Sequence, residues 1–211
     1  MPTIYYTYYT PVSSKILEVA AQEGKLGLRL LSHGLEELYG IHMSVDDISQ
    51  HLTREEHGKP RLTDYPDIHF NITHCPGLVA CAFYSGPIGV DAELPGYFPP
   101  ILIKRALSES EKAILTANGT TPELEQEWFY RLWTLKEAYV KKTGQGVDTD
   151  LTAFSFSFQS KGENMEVSCS DASVSCCQFR LEQGHILSIC RDMTDKEDGQ
   201  TPFLVLCSLA E

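Results

Sequence analysis

No apolar run in the 211-residue chain is long enough to span a bilayer, and Met1-Pro2-Thr3-Ile4-Tyr5-Tyr6 lacks a basic stretch followed by an apolar one. No membrane insertion is expected, nothing points to export, and the cytoplasm is the expected compartment. An excess of cations is missing as well: 17 Lys and Arg against 29 Asp and Glu leave a net charge of −12. A general nucleic-acid binder needs a clustered basic footprint, so that class is set aside. A phosphate ligand would need local cations or a metal. The seven cysteines are odd in number and contain no Cys-x-x-Cys pair, which argues against zinc ribbons and disulfide frameworks. Cys81, Cys190 and Cys207 read as small apolar residues on strands in a reducing compartment. Repeats are absent, and the serine-rich run 168–175 reads as a loop.

What is present suits a globular protein, with 42% hydrophobic and 22% charged residues and length for one large domain or two small lobes sharing a core. The strongest local signal is a helix. Thr121-Pro122-Glu123 supplies a hydroxyl cap, a proline at the first helical position and an acid in the first turn, and Gly144 stops the helix after Lys141 and Lys142. Trp128, Leu132, Leu135 and Tyr139 form its core stripe. Phe129, Tyr130, Trp133 and Val140 surround the opposite line through Trp133, Glu137 and Lys141, so that side is covered too. A carboxylate among aromatics loses hydration, which costs several kcal/mol unless a cation or hydrogen bonds replace the water. Glu137 is thus expected to face something positive. The competing reading is a solvated i,i+4 pair of Glu137 and Lys141, contributing about 0.2–0.5 kcal/mol.

Around this helix the chain reads as follows. Residues 4–9 form an opening strand ended by Pro11. Ser13 or Ser14 caps a helical region marked by Leu26, Leu30 and Leu38, with a break admitted at Gly24 and Gly27, and Lys25 and Arg29 share one face. Residues 54–62, containing His57-Gly58-Lys59-Pro60-Arg61, form a loop that holds cations on a stiff backbone. Strands cover 68–72 and 78–84 with a turn over 73–77, and Ser85-Gly86-Pro87 turns into a strand over 88–94. There Ile88, Val90, Ala92 and Leu94 point one way, and Gly89, Asp91 and Glu93 the other. Strand geometry fixes the two carboxylates about 6–7 Å apart; burying them requires a shared cation or a raised pKa. Residues 95–100 are a loop, and Ser108-Glu109-Ser110-Glu111 is a capping box opening a helix through Leu115. Strands are expected over 151–158, 165–169, 177–181, 185–190 and 203–209, with turns at Gly162, Gly184 and Gly199.

Asp91, Glu93 and Glu137 are three hard oxygen donors, a ligand set suited to Mg²⁺ rather than Zn²⁺. Mg²⁺ usually completes its shell with substrate phosphate and water, and Lys25, Lys59, His74 and Lys141 would answer the remaining charge of such a ligand. Four ordered motifs then carry a resemblance: Gly58-Lys59-Pro60, Phe70-Asn71-Ile72-Thr73-His74, Ile88-Gly89-Val90-Asp91-Ala92-Glu93, and Trp133-Thr134-Leu135-Lys136-Glu137-Ala138-Tyr139-Val140-Lys141. Together they resemble the 4′-phosphopantetheinyl transferases of the two-lobed surfactin-synthetase-activating (Sfp-like) type.

The resemblance implies an α+β (mixed α/β) fold of two similar lobes, 1–88 and 89–211, related by a pseudo-twofold axis. Each lobe would be a small antiparallel sheet packed with a long helix, and the site would lie in the cleft between them. It implies transfer of the phosphopantetheine arm of coenzyme A to a serine of an acyl or peptidyl carrier protein, releasing adenosine 3′,5′-bisphosphate. By matching position, Asp91, Glu93 and Glu137 hold Mg²⁺, with Mn²⁺ as a substitute. Gly58, Lys59 and Pro60 lie at the adenine nucleotide, Thr73 and His74 at the phosphates, Lys141 at the pyrophosphate and Lys25 at the 3′-phosphate. Glu137 and His74 are both candidate bases for the serine proton, and Lys141 and His74 stabilise the transition state. A complete site in one chain makes a monomer the expected state. Whether fatty-acid, polyketide or nonribosomal-peptide carriers are served is open. Two alternatives stand beside this reading, a cysteine hydrolase built on Cys75 and His74 and a binding module without turnover.

Overall fold

The aromatic and β-branched opening forms strand β1 (Thr3–Tyr8), with Ile4 and Tyr5 buried on opposite faces. The computed structural model describes residues 1–55, 57–161, 164–193 and 202–209. After β1 come helices α1 (Ile16–Tyr39) and α2 (Val45–His51), a short hairpin of β2 (Leu52–Arg54) and β3 (Pro60–Leu62), then β4 (His69–Cys75), β5 (Leu78–Tyr84) and β6 (Ile88–Glu93). Helices α3 (Ile101–Ala106), α4 (Glu109–Asn118) and α5 (Pro122–Thr143) follow, with a 3₁₀ turn at Gly146–Asp148. Strands β7 (Phe156–Lys161), β8 (Asn164–Cys169), β9 (Val174–Arg180), β10 (Ile186–Asp192) and β11 (Phe203–Leu206) complete a mixed α/β fold.

Two sheets carry the architecture, one ordered β11-β1-β5-β4 and one β6-β10-β9. Helix α1 covers the first, where Leu30, Leu31 and Leu35 pack with Phe70, Val79, Cys81 and Phe83. Helix α5 covers the second, where Leu132, Leu135 and Ala138 pack with Cys176 and Cys190. Between the sheets, Ile4, Leu78, Ala80 and Ala82 meet Ile88, Val90, Ala92, Leu187 and Ile189. Strand β5 is therefore covered on both faces, and all seven of its residues are buried. The sheets adjoin along β4 and β6, where Asn71 Oδ1 accepts the Val90 N–H at 2.9 Å. Residues beyond 89 serve both sheets, because β11 returns to pair parallel with β1, Thr3 opposite Phe203.

Several elements differ from the sequence reading, each for a local reason. Helix α1 is unbroken and starts after Lys15 without a side-chain cap; Ser13 Oγ accepts the Lys15 N–H instead. Its glycines seat it: a Cβ on Gly34 would lie 2.2 Å from Phe83 Cε2, and one on Gly27 would lie 3.0 Å from Ile72 Cγ2. The expected loop over 54–62 is the tip of the β2–β3 hairpin, with Arg54 opposite Pro60. Thr73, His74 and Cys75 belong to strand β4, paired with Ala80, Val79 and Leu78, and the turn is only Pro76-Gly77, Gly77 having φ +84°. The strand expected from 151 begins at Phe156, since the carbonyls of Leu151 and Phe154 turn inward to accept hydrogen bonds from Lys136 Nζ. The serine-rich run is split between β8, a turn and β9; Asp171 Oδ1 accepts from Ser173 N and Oγ to form that turn. Gly184 turns with φ +88°, whereas Gly162 and Gly199 lie outside the described residues.

Candidate active site

Helix α5 has the caps its sequence specifies. Thr121 Oγ1 accepts the Leu124 N–H, Pro122 opens the helix and Gly144 closes it at φ +70°. Its far side is covered, as Phe129 stacks on Phe98 with ring centroids 3.8 Å apart and on Trp133 at 5.9 Å. What brings it to the carboxylates is Gly89 on β6: a Cβ there would sit 2.0 Å from Ala138 O and 2.3 Å from Lys142 N. The strand face bearing Gly89, Asp91 and Glu93 is thus pressed against the helix face bearing Glu137 and Lys141.

Lys141 reaches across to Asp91, its Nζ donating to Oδ1 at 2.6 Å, and it also donates to Thr73 Oγ1 at 3.1 Å. Thr73 Oγ1 donates to the same Asp91 oxygen at 3.2 Å, closing a triangle of three elements. The other Asp91 oxygen, Oδ2, is buried and has no partner among the described residues. Burial raises the Asp91 carboxyl above its usual range despite the bonds from Lys141 and Thr73. Glu93 is pushed up to about 7 by burial and by the Asp91 charge, Lys141 opposing and Glu137 adding. Glu137 is raised by burial and then by Asp91, against Lys141. Three carboxyls are therefore held together with less positive charge than they call for.

That deficit tests the implied metal. Among the described residues no three His, Cys, Asp or Glu side chains already converge on a metal position. The orphaned Asp91 Oδ2 and the mutual repulsion of hard oxygen donors nonetheless suit a small divalent cation whose shell is completed by substrate oxygens, not an all-protein cage. The residues present fit Mg²⁺.

A cavity of about 850 Å³ opens beside this group. Gly58, Lys59, Pro60, His74, Glu137 and Lys141 are in its wall, together with Trp133 and with Glu23, Gly24, Gly27 and Leu28 of α1. Asp91, Glu93 and Thr73 are not in the wall; Asp91 lies behind Thr73 and Lys141, which bond to it. Lys25, expected at a phosphate, is exposed on α1 and is not in the wall either. The Lys59 ammonium is turned onto protein carbonyls, donating to Ile88 O and Lys142 O at 3.1 Å each, so it ties the hairpin to β6 and α5 while its stem lines the cavity. Burial pulls its pKa down, with Glu55 opposing.

Thr73 and His74 are neighbours on a strand and point to opposite faces. Thr73 meets Asp91, whereas His74 Nδ1 lies 3.0 Å from Glu23 Oε2. Glu23 was not singled out from the sequence. Its signal was Gly27, four positions on and one helical turn away, which presses α1 against Ile72 of β4. Lys136 was missed as well: it is fully buried beneath α5, paired with Glu111 at 2.8 Å, and Glu111 also accepts the Ser108 and Phe156 N–H groups. Cys75 is 4% exposed and burial drives its thiol far above the usual range, while the Nδ1 of its neighbour His74 is engaged by Glu23. That removes the basis for a cysteine nucleophile.

Fold and site define a mixed α/β protein that gathers hard oxygen donors and cations at one cavity. Residues 87–190 match the model of the 4′-phosphopantetheinyl transferase superfamily. The chain is similar to the 4′-phosphopantetheinyl transferase Sfp of Bacillus subtilis, 31% identical over 147 residues that cover 69% of this chain and 65% of that protein. It is also similar to the 4′-phosphopantetheinyl transferase psf-1 of Bacillus pumilus, 25% identical over 82% of this chain and 72% of that protein. Holo-[acyl-carrier-protein] synthase of Thermotoga maritima superposes with a TM-score of 0.38 and 17% identity over 49% of this chain and 61% of its own, too slight a likeness to argue from. The likeness to the 4′-phosphopantetheinyl transferase superfamily thus lies over residues 87–190, and the chain spans 65% of the length of Sfp.

Proposed function

We propose that the protein moves the 4′-phosphopantetheine arm of a coenzyme A donor onto a serine hydroxyl of an acyl or peptidyl carrier protein, in the presence of Mg²⁺ or Mn²⁺. The observation that carries this reading is the Asp91 carboxylate, half bonded by Lys141 and Thr73 and half unpartnered, with the raised carboxyls of Glu93 and Glu137 beside it. Asp91, Glu93 and Glu137 would hold the metal. Bound there, it would offset charge on the donor's pyrophosphate oxygens.

The chain's own residues account for the rest. The serine oxygen forms a bond to the phosphorus that carries pantetheine, and the bond from that phosphorus to the bridging oxygen breaks. The leaving group is adenosine 3′,5′-bisphosphate when coenzyme A is the donor. Lys141, in the cavity wall and 2.6 Å from Asp91, offers an ammonium to the oxygens on which charge builds. The serine proton needs an acceptor in the same wall. Glu137, whose carboxyl burial holds above its usual range, is one. His74, with Nδ1 engaged by Glu23 and Nε2 left over, is the other. Gly58, Lys59 and Pro60 would line the adenine side. The two sheet-and-helix units read as two lobes of pseudo-twofold kind flanking the cleft, within a cytoplasmic monomer.

The deciding experiment is the intact mass of an apo carrier protein after incubation with this protein, coenzyme A and Mg²⁺, beside a sample with EDTA. One added phosphopantetheine, abolished by EDTA, is the expected result. No addition to any of several carriers despite donor binding would instead establish a binding module without turnover.

A further inference from the structure

A buried acid stands behind His74. Glu23 of α1 is only 8% exposed, and both of its oxygens are engaged: Tyr9 Oη donates to Oε1, and His74 Nδ1 lies 3.0 Å from Oε2. Tyr9 is anchored in turn, its N–H donating to Gly77 O at the β4–β5 turn. Its phenol, pushed up to about 12 by burial and by the bond to Glu23, remains a donor throughout the physiological range. The carboxylate therefore cannot swing off the ring without giving up a hydrogen bond. With Nδ1 tied to α1, the nitrogen left for a ligand is Nε2, on a side chain that is 54% exposed and in the cavity wall. Arg54, His57 and Arg105 also line that wall, where their charge serves any phosphate, and none of them bonds Glu23 among the described residues. What Glu23 does for a ligand thus passes through His74.

We propose that Glu23 and Tyr9 are positioning residues, which hold the His74 ring with Nδ1–H on the carboxylate so that Nε2–H donates to a phosphate oxygen of the bound donor. The two negative groups then share one ring from opposite edges instead of meeting. An anion on each edge requires a proton on each nitrogen, and a ring so placed has no lone pair for the serine proton. This rests on the transferase reading and deepens it, leaving Glu137 as the acceptor of that proton.

Two measurements on the intact protein test this. Proton–nitrogen correlation spectra of the histidine rings, with the His74 signals assigned by their loss in His74→Ala, should show a proton fixed on Nδ1 in the wild type and released in Glu23→Ala. A wild-type His74 without that proton would overturn the inference whatever the protein binds. Calorimetric titration with coenzyme A and Mg²⁺ should give binding about tenfold weaker in Glu23→Ala and about threefold weaker in Tyr9→Phe. In the His74→Ala background, either substitution should change affinity by no more than about twofold, because its partner is gone. A loss that persists in full in that background would assign Glu23 to the shape of α1 and overturn the inference while leaving the transferase reading standing, and so would an unchanged affinity in the single variants. No binding by the wild type would remove both. Should Glu23→Ala fail to fold, Tyr9→Phe, which deletes one hydroxyl, and the wild-type spectrum decide the matter.

Discussion

Asp91 shows how much one oxygen can specify. Its Oδ1 is shared by Lys141 and Thr73, its Oδ2 is buried and unpartnered, and Glu93 and Glu137 are raised partly on its account. Glu137→Gln keeps the shape of the side chain and removes its charge and basicity. Transfer should fall by about 10²–10⁴-fold, the usual cost of a lost general base, with circular dichroism and melting temperature unchanged; normal turnover would strike out both roles of Glu137. Glu93 gives a pH test. Its folded-state value of about 7 lies above the usual 4.5, so the folded protein holds a proton that the unfolded chain has lost. Its contribution to stability is full below the unfolded value and disappears as pH rises through the folded one. In EDTA the unfolding free energy should therefore fall as pH rises from about 4.5 to about 7, by an amount on the order of 1–2 kcal/mol after discounting for partial exposure, readable as a falling melting temperature. Glu93→Gln should flatten that slope, and an unchanged slope in this variant would assign the pH dependence elsewhere.

At the scale of elements, the site depends on how closely α5 lies on β6. The contact is backbone against backbone at Gly89, so no side-chain rearrangement can relieve an added methyl. Gly89→Ala should cost about 3 kcal/mol or more, at the upper end for overpacking, readable as a lower denaturation midpoint. Because the shift moves Glu137 and Lys141 away from Asp91, transfer should drop further than stability alone explains. A variant with wild-type stability would mean that α5 can tilt without loss. The buried Lys136–Glu111 pair, together with the Leu151 and Phe154 carbonyls, fixes the other side of α5. Removing one partner of such a pair leaves a buried charge uncompensated.

For the whole molecule, the stacking order of α1, first sheet, second sheet and α5 brings Glu23 and His74 from one unit and Glu137 and Lys141 from the other to a single cavity. All four belong to one chain, so the expected titration stoichiometry is one donor per chain at a light-scattering mass of 23.6 kDa. A stoichiometry of one donor per two chains would show that the site is completed by a second copy.

The sequence by itself determined what depends on neighbours along the chain. The caps of α5 at Thr121, Pro122 and Gly144, the capping box at Ser108, and the alternation that puts Asp91 and Glu93 on one face of β6 were all legible, because short-range hydrogen bonding and side-chain period fix them. The faces on which Asp91, Glu93, Glu137 and Lys141 stand were legible for the same reason, each being set by the period of its own element. Tertiary structure decided what depends on distant partners. Thr73 and His74 became strand residues only through pairing with Ala80 and Val79, and Lys59 was drawn onto the carbonyls of Ile88 and Lys142. Lys25 was left outside the cavity while Glu23, two positions earlier, was placed within it. Successive helical residues differ by about 100° in direction, and which of those directions meets β4 was settled by the close approach of Gly27 and Gly34 to the first sheet, a contact between segments far apart in the chain.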